Sequence, residues 1–241
     1  MGHILVTGSS RGIGKAALES LAAKGVPVIG HASRPQPAAP GAPPIIAADF
    51  GDPLAVQSLW EAALELAGGE IDVVVNNAGR FEANRLDRSD IEWLDAWEDT
   101  LRVNLTAAAQ LSRLAVLHWQ ARSFAGRLVH VASRAAYRGD SPAHWHYAAA
   151  KGGMVAMHKT IARAYAADGI LSFAITPGFT DTSMADDYLA SRGGPGLLAD
   201  IPLGRVATPD EIAAIIAFCA LDAPPSMTGA VIDANGASFV R

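Results

Sequence analysis

Tyr147 and Lys151 stand four residues apart in "HWHYAAAK", residues 144–151. Alanine builds helix at little cost, and helical residues four apart share a face, with Cβ atoms about 6 Å apart. The segment therefore predicts a phenol and an ammonium side by side on one helix. A free tyrosine has a pKa of about 10, too high for efficient proton exchange near neutrality. A neighbouring cation favours the phenolate, so the pattern predicts a Tyr147 made acidic by Lys151. Taken alone, such a pair is equally a contact on a solvent-exposed helix. Whether it does chemistry depends on what else the chain brings to it.

A second stretch carries chemistry of another kind. "LVTGSSRGIG" places Gly8, Gly12 and Gly14 with the spacing G-x-x-x-G-x-G between an apolar run and a helical pattern. Glycine allows a tight turn and close backbone approach. The N-terminus of the helix that follows offers unpaired N–H groups and a positive dipole end to a phosphate. The competing reading is a plain glycine-rich turn. Its position after the first apolar run of an alternating chain favours the anion site.

The elements that must position these groups follow from periodicity. Strands are predicted at 4–7, 27–30, 44–48, 71–76, 127–132, 170–176 and 230–234, several of them continuous apolar runs of the kind buried on both faces. Helical patterns fill 12–24, 53–66, about 89–120, 146–167 and 209–221. Strand–helix alternation predicts a parallel sheet covered by helices on both faces, in one domain spanning residues 1–241. Residues 35–44, "PQPAAPGAPP", hold five prolines and cannot form a helix, so the second crossover is expected to be a bare loop. The stretch 180–205 is long and glycine-bearing, which suggests a lid or binding loop.

Six motifs in register along the chain resemble the short-chain dehydrogenase/reductase family: "TGSSRGIG", "NNAG" (76–79), "VNLTAA" (103–108), Ser133, "YAAAK" and "PGFTDT" (177–182). The branch that reduces 3-oxoacyl groups on acyl carrier protein is the nearest in pattern. The resemblance implies a Rossmann-type doubly wound fold, with a seven-stranded parallel sheet and a dinucleotide across the carboxyl ends of the strands. It implies that Tyr147 is the general acid in carbonyl reduction and that Lys151 also holds the nicotinamide ribose. Ser133 would hydrogen-bond the substrate carbonyl, and Asn104 would hold a water linking Lys151 to solvent.

For the cofactor, the resemblance implies contacts from Gly8, Ser10, Arg11, Gly12, Ile13 and Gly14. Asp49 would meet the adenine with Phe50 beside it, and Asn77, Ala78 and Gly79 would let the cofactor approach closely. Asn76 would support the sheet. Pro177, Gly178, Phe179 and Thr180 would line the nicotinamide, with Tyr147 and Lys151 completing the set. A carboxylate after the second strand would bind the ribose 2′-hydroxyl of NAD. "VIGHASRP" has none, whereas Arg11, Ser33, Arg34 and His31 suit a 2′-phosphate, so NADP is expected over NAD.

Other signals narrow the function further. The formal net charge is −5, without a basic block, which argues against nucleic acid and anionic membrane as partners. No apolar run reaches the roughly 18 residues of a membrane span, and strand-like sequence begins almost at once, so a cytoplasmic protein is expected. Charged residues make up only 18% of the chain, consistent with area buried against other subunits. The family usually forms dimers or tetramers, and the stripe Leu101, Leu105, Ala108, Leu111, Ala115 fits either a partner or the sheet. Cys219 is the sole cysteine and reads as buried.

No metal is expected. His144 and His146 lack a third ligand at suitable spacing, and they read as surface residues or, failing that, as pocket lining. Trp93 and Trp97 read as helix packing, with a subunit contact as the alternative. "GDSPA" does not match the nucleophile elbow of hydrolases. The expected substrate is a small carbonyl or alcohol. Delivery by an acidic carrier would draw on Arg122, Arg134 and Arg138, whereas "ADD" (185–187) argues mildly against a strongly anionic substrate. A sugar-alcohol, steroid or small-alcohol dehydrogenase is the alternative enzyme. A dinucleotide sensor without turnover is the alternative of another class, disfavoured because Tyr147 and Lys151 are both present.

Overall fold

The computed structural model describes residues 2–181 and 194–241. Seven strands form one parallel sheet in the order β3-β2-β1-β4-β5-β6-β7. They are β1 (His3–Val6), β2 (Val28–Ala32), β3 (Ile45–Ala47), β4 (Ile71–Asn76), β5 (Gly126–Val131), β6 (Ile170–Pro177) and β7 (Val231–Ala234). Each observed strand lies within two residues of its predicted bounds. The order reverses between β1 and β4, which sit side by side although two strands separate them in sequence. In open sheets of this kind the crevice at that reversal is where ligands bind.

Alternation along the buried strands divides the core between two faces. Ile4 and Val6 of β1 pack with Val73, Val75, Val129 and Phe173 beneath α1 (Gly12–Ala23). Leu5, Val74, Leu128 and Ile170 face the other way, toward α2 (Ala55–Leu66). The long pattern predicted at 89–120 resolves into α3 (Asp90–Leu101) and α4 (Ala107–Arg122), joined by a π-turn over Arg102–Thr106. A π-turn inserts one residue without disturbing the apolar period, so periodicity could not reveal it. Trp119 of α4 is fully buried and donates from Nε1 to the Ile71 carbonyl at 2.6 Å, which ties the helix to β4.

After β5 comes a short α5 (Ala135–Arg138), which the sequence pattern did not suggest, then α6 (Trp145–Tyr165). The helical pattern at 146–167 thus closes two residues early, continuing as a single tighter turn over Ala166–Asp168. A further short helix, α7 (Gly194–Ala199), precedes α8 (Pro209–Ala217), which lies against α1 on the first face. A capping box between Thr208 and Glu211, with Pro209 at the first helical position, starts α8. The proline-rich crossover between β2 and β3 contains no helix, as its composition predicts. Of the stripe that runs from the end of α3 through the π-turn into α4, Leu111 and Ala115 pack on the sheet, while Leu105 and Ala108 pack with Met154 and Val155 of α6. Cys219 is buried, as expected. Of the expected loop at 180–205, residues 182–193, including the acidic run at 185–187, lie outside the described residues.

Among the described residues no helix is long and apolar enough to cross a membrane. Phe173 sits at the middle of β6 and is wholly enclosed. Phe173→Ala should lower stability by about 3–5 kcal/mol, the usual cost of a large-to-small change in a packed core. Urea unfolding of the two proteins measures it, and a loss below about 1 kcal/mol would contradict the enclosure described.

Candidate active site

The strand carboxyl ends open into one cavity of about 590 Å³. At one end lies the glycine loop. Gly8 has φ +67° and Gly12 φ +55°, a region costly for any residue with a Cβ. A Cβ at Gly14 would stand 2.2 Å from the Gly8 carbonyl oxygen, so helix and turn can meet only through glycine there. The α1 N-terminus has no side-chain cap and no acid in its first turn, in contrast to the capping boxes of α3 and α8. Uncapped amides at a helix start are a ready anion site.

Thr7, which the sequence reading passed over, holds this loop to its neighbour. Its Oγ1 accepts from the Asn77 and Ala78 amides at 2.9 and 3.0 Å and donates to the Val75 carbonyl. Asn77 Nδ2 reaches back to the Thr7 carbonyl at 2.9 Å. A Cβ at Gly8 would meet the Ala78 Cα at 2.8 Å, so the two loops nearly touch. Asn76 donates to Ser112 of α4 at 3.0 Å, the supporting role expected of it. The available signal for Thr7 was a hydroxyl residue directly before the first glycine at a strand end.

His31, expected to join the arginines around a 2′-phosphate, lines the cavity, but its ring nitrogens go to main-chain partners. The ring is buried, stacked on Phe50 at 4.2 Å, and bonded through both nitrogens. Nδ1 accepts from the Gly8 amide at 3.1 Å, and Nε2 lies 2.8 Å from the Ala48 carbonyl, which only an N–H can satisfy. The ring is thus neutral in this arrangement, and burial keeps its pKa below the ordinary value. Arg11, Ser33 and Arg34 line the cavity, with Gln36 beside them.

At the opposite end stand Ser133, just after β5, and Tyr147 and Lys151 on α6. Gly79 joins them to Asn104: a Cβ on it would lie 3.3 Å from Asn104 Oδ1 and 3.7 Å from Lys151 Nζ. Asn104 is fully buried in the π-turn and does not line the cavity. Its Oδ1 accepts from the Arg80 amide at 2.8 Å, and its Nδ2 donates to the Arg80 carbonyl at 2.9 Å. The Asn104 side chain thus braces the main chain that follows Gly79.

Burial works against the acidity expected of Tyr147. Lys151 Nζ donates to the Val131 carbonyl at 2.8 Å and stands 5.9 Å from the centre of the Tyr147 ring. Burial pushes Tyr147 up to about 12, with a hydrogen bond to Ser133 offsetting part of the rise and the nearby Asp140 carboxylate adding to it. The same burial brings Lys151 down to about 8. Desolvation of the phenolate is the main cause, while the Lys151 cation is committed to a backbone carbonyl. Burial in this site therefore favours the protonated phenol.

His144 and His146 are buried rather than exposed, because Phe81 stacks on His144 at 4.0 Å and Trp97 on His146 at 6.5 Å. Phe81 also meets Tyr147 edge-on at 4.7 Å and lines the cavity together with Glu82 and Asp140, none of which the motifs singled out. Trp93 and Trp97 stack on each other at 5.3 Å, as helix packing predicts. Pro177, Gly178, Phe179 and Thr180 line the cavity, and Arg134 places its guanidinium over Phe179 at 4.6 Å. The arginines considered for a carrier protein do not form one patch. Arg122 closes α4 beside Gly69, at the amino ends of the strands, whereas Arg134 and Arg138 follow the carboxyl end of β5.

Comparison with known proteins gives a consistent picture. A family model described as enoyl-(acyl carrier protein) reductase matches residues 8–236. The chain is 35% identical to the 3-oxoacyl-[acyl-carrier-protein] reductases of Salmonella typhimurium and Escherichia coli K12, in each case over 98% of this chain and 96% of the relative. The Synechocystis reductase of the same name is 34% identical over 96% of this chain and 94% of its own length. A solved structure from Agrobacterium tumefaciens, described as a putative 2-deoxy-D-gluconate 3-dehydrogenase with bound NADP, superposes with TM-score 0.84 at 28% identity, covering 98% of this chain and 95% of that one. Thermoplasma acidophilum aldohexose dehydrogenase shares the fold, with TM-score 0.86 at 24% identity over 98% of this chain and 92% of that one.

The protonation state of Tyr147 can be read directly. The chain has four tyrosines, so the ultraviolet titration of Tyr147→Phe subtracted from that of the wild type isolates one phenol. No phenolate signal should appear in the difference up to about pH 10, the ordinary tyrosine value. Ionisation below that point would show that Lys151 outweighs burial after all.

Proposed function

The chain belongs to the short-chain dehydrogenase/reductase family and is an oxidoreductase acting between CH–OH and C=O with a nicotinamide cofactor, and from that premise we propose that it reduces a ketone or 3-oxoacyl substrate to the secondary alcohol, reversibly, with NADPH. The observation that carries this reading is the convergence of Ser133, Tyr147 and Lys151 at one end of a cavity whose other end is a glycine turn with an uncapped helix start. The close approach of Gly8 to Ala78, and of Gly14 to the Gly8 carbonyl, supports a backbone cradle for a diphosphate. Bound there, NADPH supplies the hydride.

In this proposal Tyr147 donates its proton to the carbonyl oxygen as negative charge develops on it. A phenol held near 12 is fully loaded at neutral pH, which suits the reductive direction. Ser133 hydrogen-bonds the same oxygen and orients it toward the phenol. Lys151 acts after the transfer: its cation steadies the phenolate left behind. Asn104 acts through others, by fixing the Arg80 main chain and so the floor beside Gly79.

Arg11, Ser33 and Arg34 support NADP over NAD, since all three line the cavity and no carboxylate follows β2. The NADP bound in the Agrobacterium structure agrees with this choice. The name of that protein also favours a second reading, in which the substrate is a sugar-derived alcohol. The carboxylates Glu82 and Asp140 beside Phe81 suit hydroxyl donors. One domain over residues 1–241, a substrate loop near 180–205, a cytoplasmic location and assembly as a homodimer or homotetramer belong to the same proposal. The exposed Ile91, Leu94 and Trp145 on neighbouring parts of α3 and α6 support assembly.

Two measurements test this. Tyr147→Phe should lose at least about a hundredfold in NADPH-dependent ketone reduction, the scale of a general acid, while still binding NADPH. A wild type that binds NADPH and turns over no member of a ketone and alcohol panel would instead make it a sensor. Arg34→Ala should raise the KM for NADPH roughly tenfold, as loss of a charge-assisted hydrogen bond implies, and leave that for NADH nearly unchanged. Equal effects on both cofactors would remove Arg34 from 2′-phosphate recognition.

A further inference from the structure

His31 touches both walls of the nucleotide end of the cavity, and the catalytic scheme makes no use of it. On one side its Nδ1 accepts from the Gly8 amide; on the other its Nε2–H donates to the Ala48 carbonyl, just after β3. Phe50 covers its face at 4.2 Å, and the ring is 2% exposed. Its own main chain is clamped by Ser9, whose Oγ accepts from the His31 amide at 2.9 Å and donates to the His31 carbonyl at 3.1 Å. We propose that His31 is a positioning residue for the cofactor: in its neutral form the ring pins the phosphate-binding turn to the wall that carries Asp49 and Phe50, and protonation unpins it.

The chemistry leaves one arrangement. Gly8 offers a hydrogen and Ala48 offers lone pairs, so the ring must present an acceptor and a donor at once. A neutral imidazole does this and an imidazolium, with two N–H groups, does not. Among the surrounding groups, the β1–α1 loop brings Gly8, Ser9 and, further along, Arg11. The β2 end brings Arg34, and the β3 end brings Ala48, Asp49 and Phe50. Asp49 favours the cation, and burial opposes it more strongly. A group whose folded pKa is lowered contributes stability above its unfolded value of about 6.5 and loses that contribution as pH falls through the lowered one. Grip on the nucleotide should therefore weaken on the acid side only.

This inference rests on the reading of the cavity as an NADP site, and its test separates the two. NADP⁺, which survives acid, is titrated calorimetrically into wild type, His31→Asn and His31→Phe between about pH 8 and pH 5.5, a range that spans the ordinary histidine value. Asparagine keeps an acceptor for Gly8 and cannot take up a proton; phenylalanine keeps the stack on Phe50 and loses both bonds. The 2′-phosphate titrates near pH 6 in every sample, so each variant is read as a ratio to wild type. His31→Phe should bind about tenfold more weakly at neutral pH, the value of about one hydrogen bond. Wild type should lose about tenfold more affinity than His31→Asn on acidification. Should His31→Phe fail to fold, ring ¹⁵N shifts of the wild type decide, with a protonated Nε2 and a bare Nδ1 expected. Unchanged affinity and pH dependence in both variants, or a proton on Nδ1, would overturn the role of His31. Absence of NADP⁺ binding by wild type at every pH would overturn the cofactor reading itself.

Discussion

Parallel strand sense is the constraint on which everything else depends. It brings the carboxyl ends of all seven strands to one edge, so loops distant in sequence share a single crevice. The glycine loop follows β1, "NNAG" ends β4, Ser133 follows β5 and the 177–180 segment closes β6. Where β1 and β4 lie side by side, the Thr7 hydroxyl receives two amides from the neighbouring loop. That bond joins the nucleotide end of the crevice to the end that carries Lys151, since Gly79 follows those amides and lies beside Asn104 and Lys151. Strand order and one threonine together hold the two halves of the site in register.

Within that frame, burial sets the chemistry more than charge does. Tyr147 and Lys151 share a helix face, but the ammonium bonds the Val131 carbonyl and both groups are desolvated. Desolvation moves both toward neutrality, the phenol upward and the amine downward. For a pair that looked in sequence like a cation ionising a phenol, burial favours the proton on oxygen. The amine remains near enough to stabilise the phenolate once that proton has left. His31 obeys the same rule, since burial keeps its ring neutral and able to accept from Gly8.

The strands were legible because a strand buried on both faces is a continuous apolar run, and β1, β4 and β6 are such runs. The bare β2–β3 crossover was legible because five prolines forbid a helix. The π-turn around Asn104 was not, since an extra residue in one turn leaves the apolar period intact. The set Ser133, Tyr147 and Lys151 was visible as types in order along the chain. What each side chain bonds to was not visible, because spacing shows which residues share a face but not where their polar atoms point. His31, Asn104 and Lys151 all turned to backbone partners supplied by other segments of the chain. His144 and His146 followed the same logic: Phe81 and Trp97, far away in sequence, cover them.

The diversion of His31 bears on cofactor choice. A histidine committed to Gly8 and Ala48 can offer a 2′-phosphate neither a positive charge nor a free N–H. In the proposed reading, recognition of that phosphate falls to Arg11, Ser33 and Arg34, which line the same end of the cavity. On that reading, attraction for the phosphate and assembly of the turn beneath the diphosphate belong to different groups: charged side chains for the first, and a neutral ring for the second. The short, proline-bearing crossover fits this division, because it carries Arg34 out of β2 without a helix and leaves Ala48 at the end of β3, where the ring can reach it.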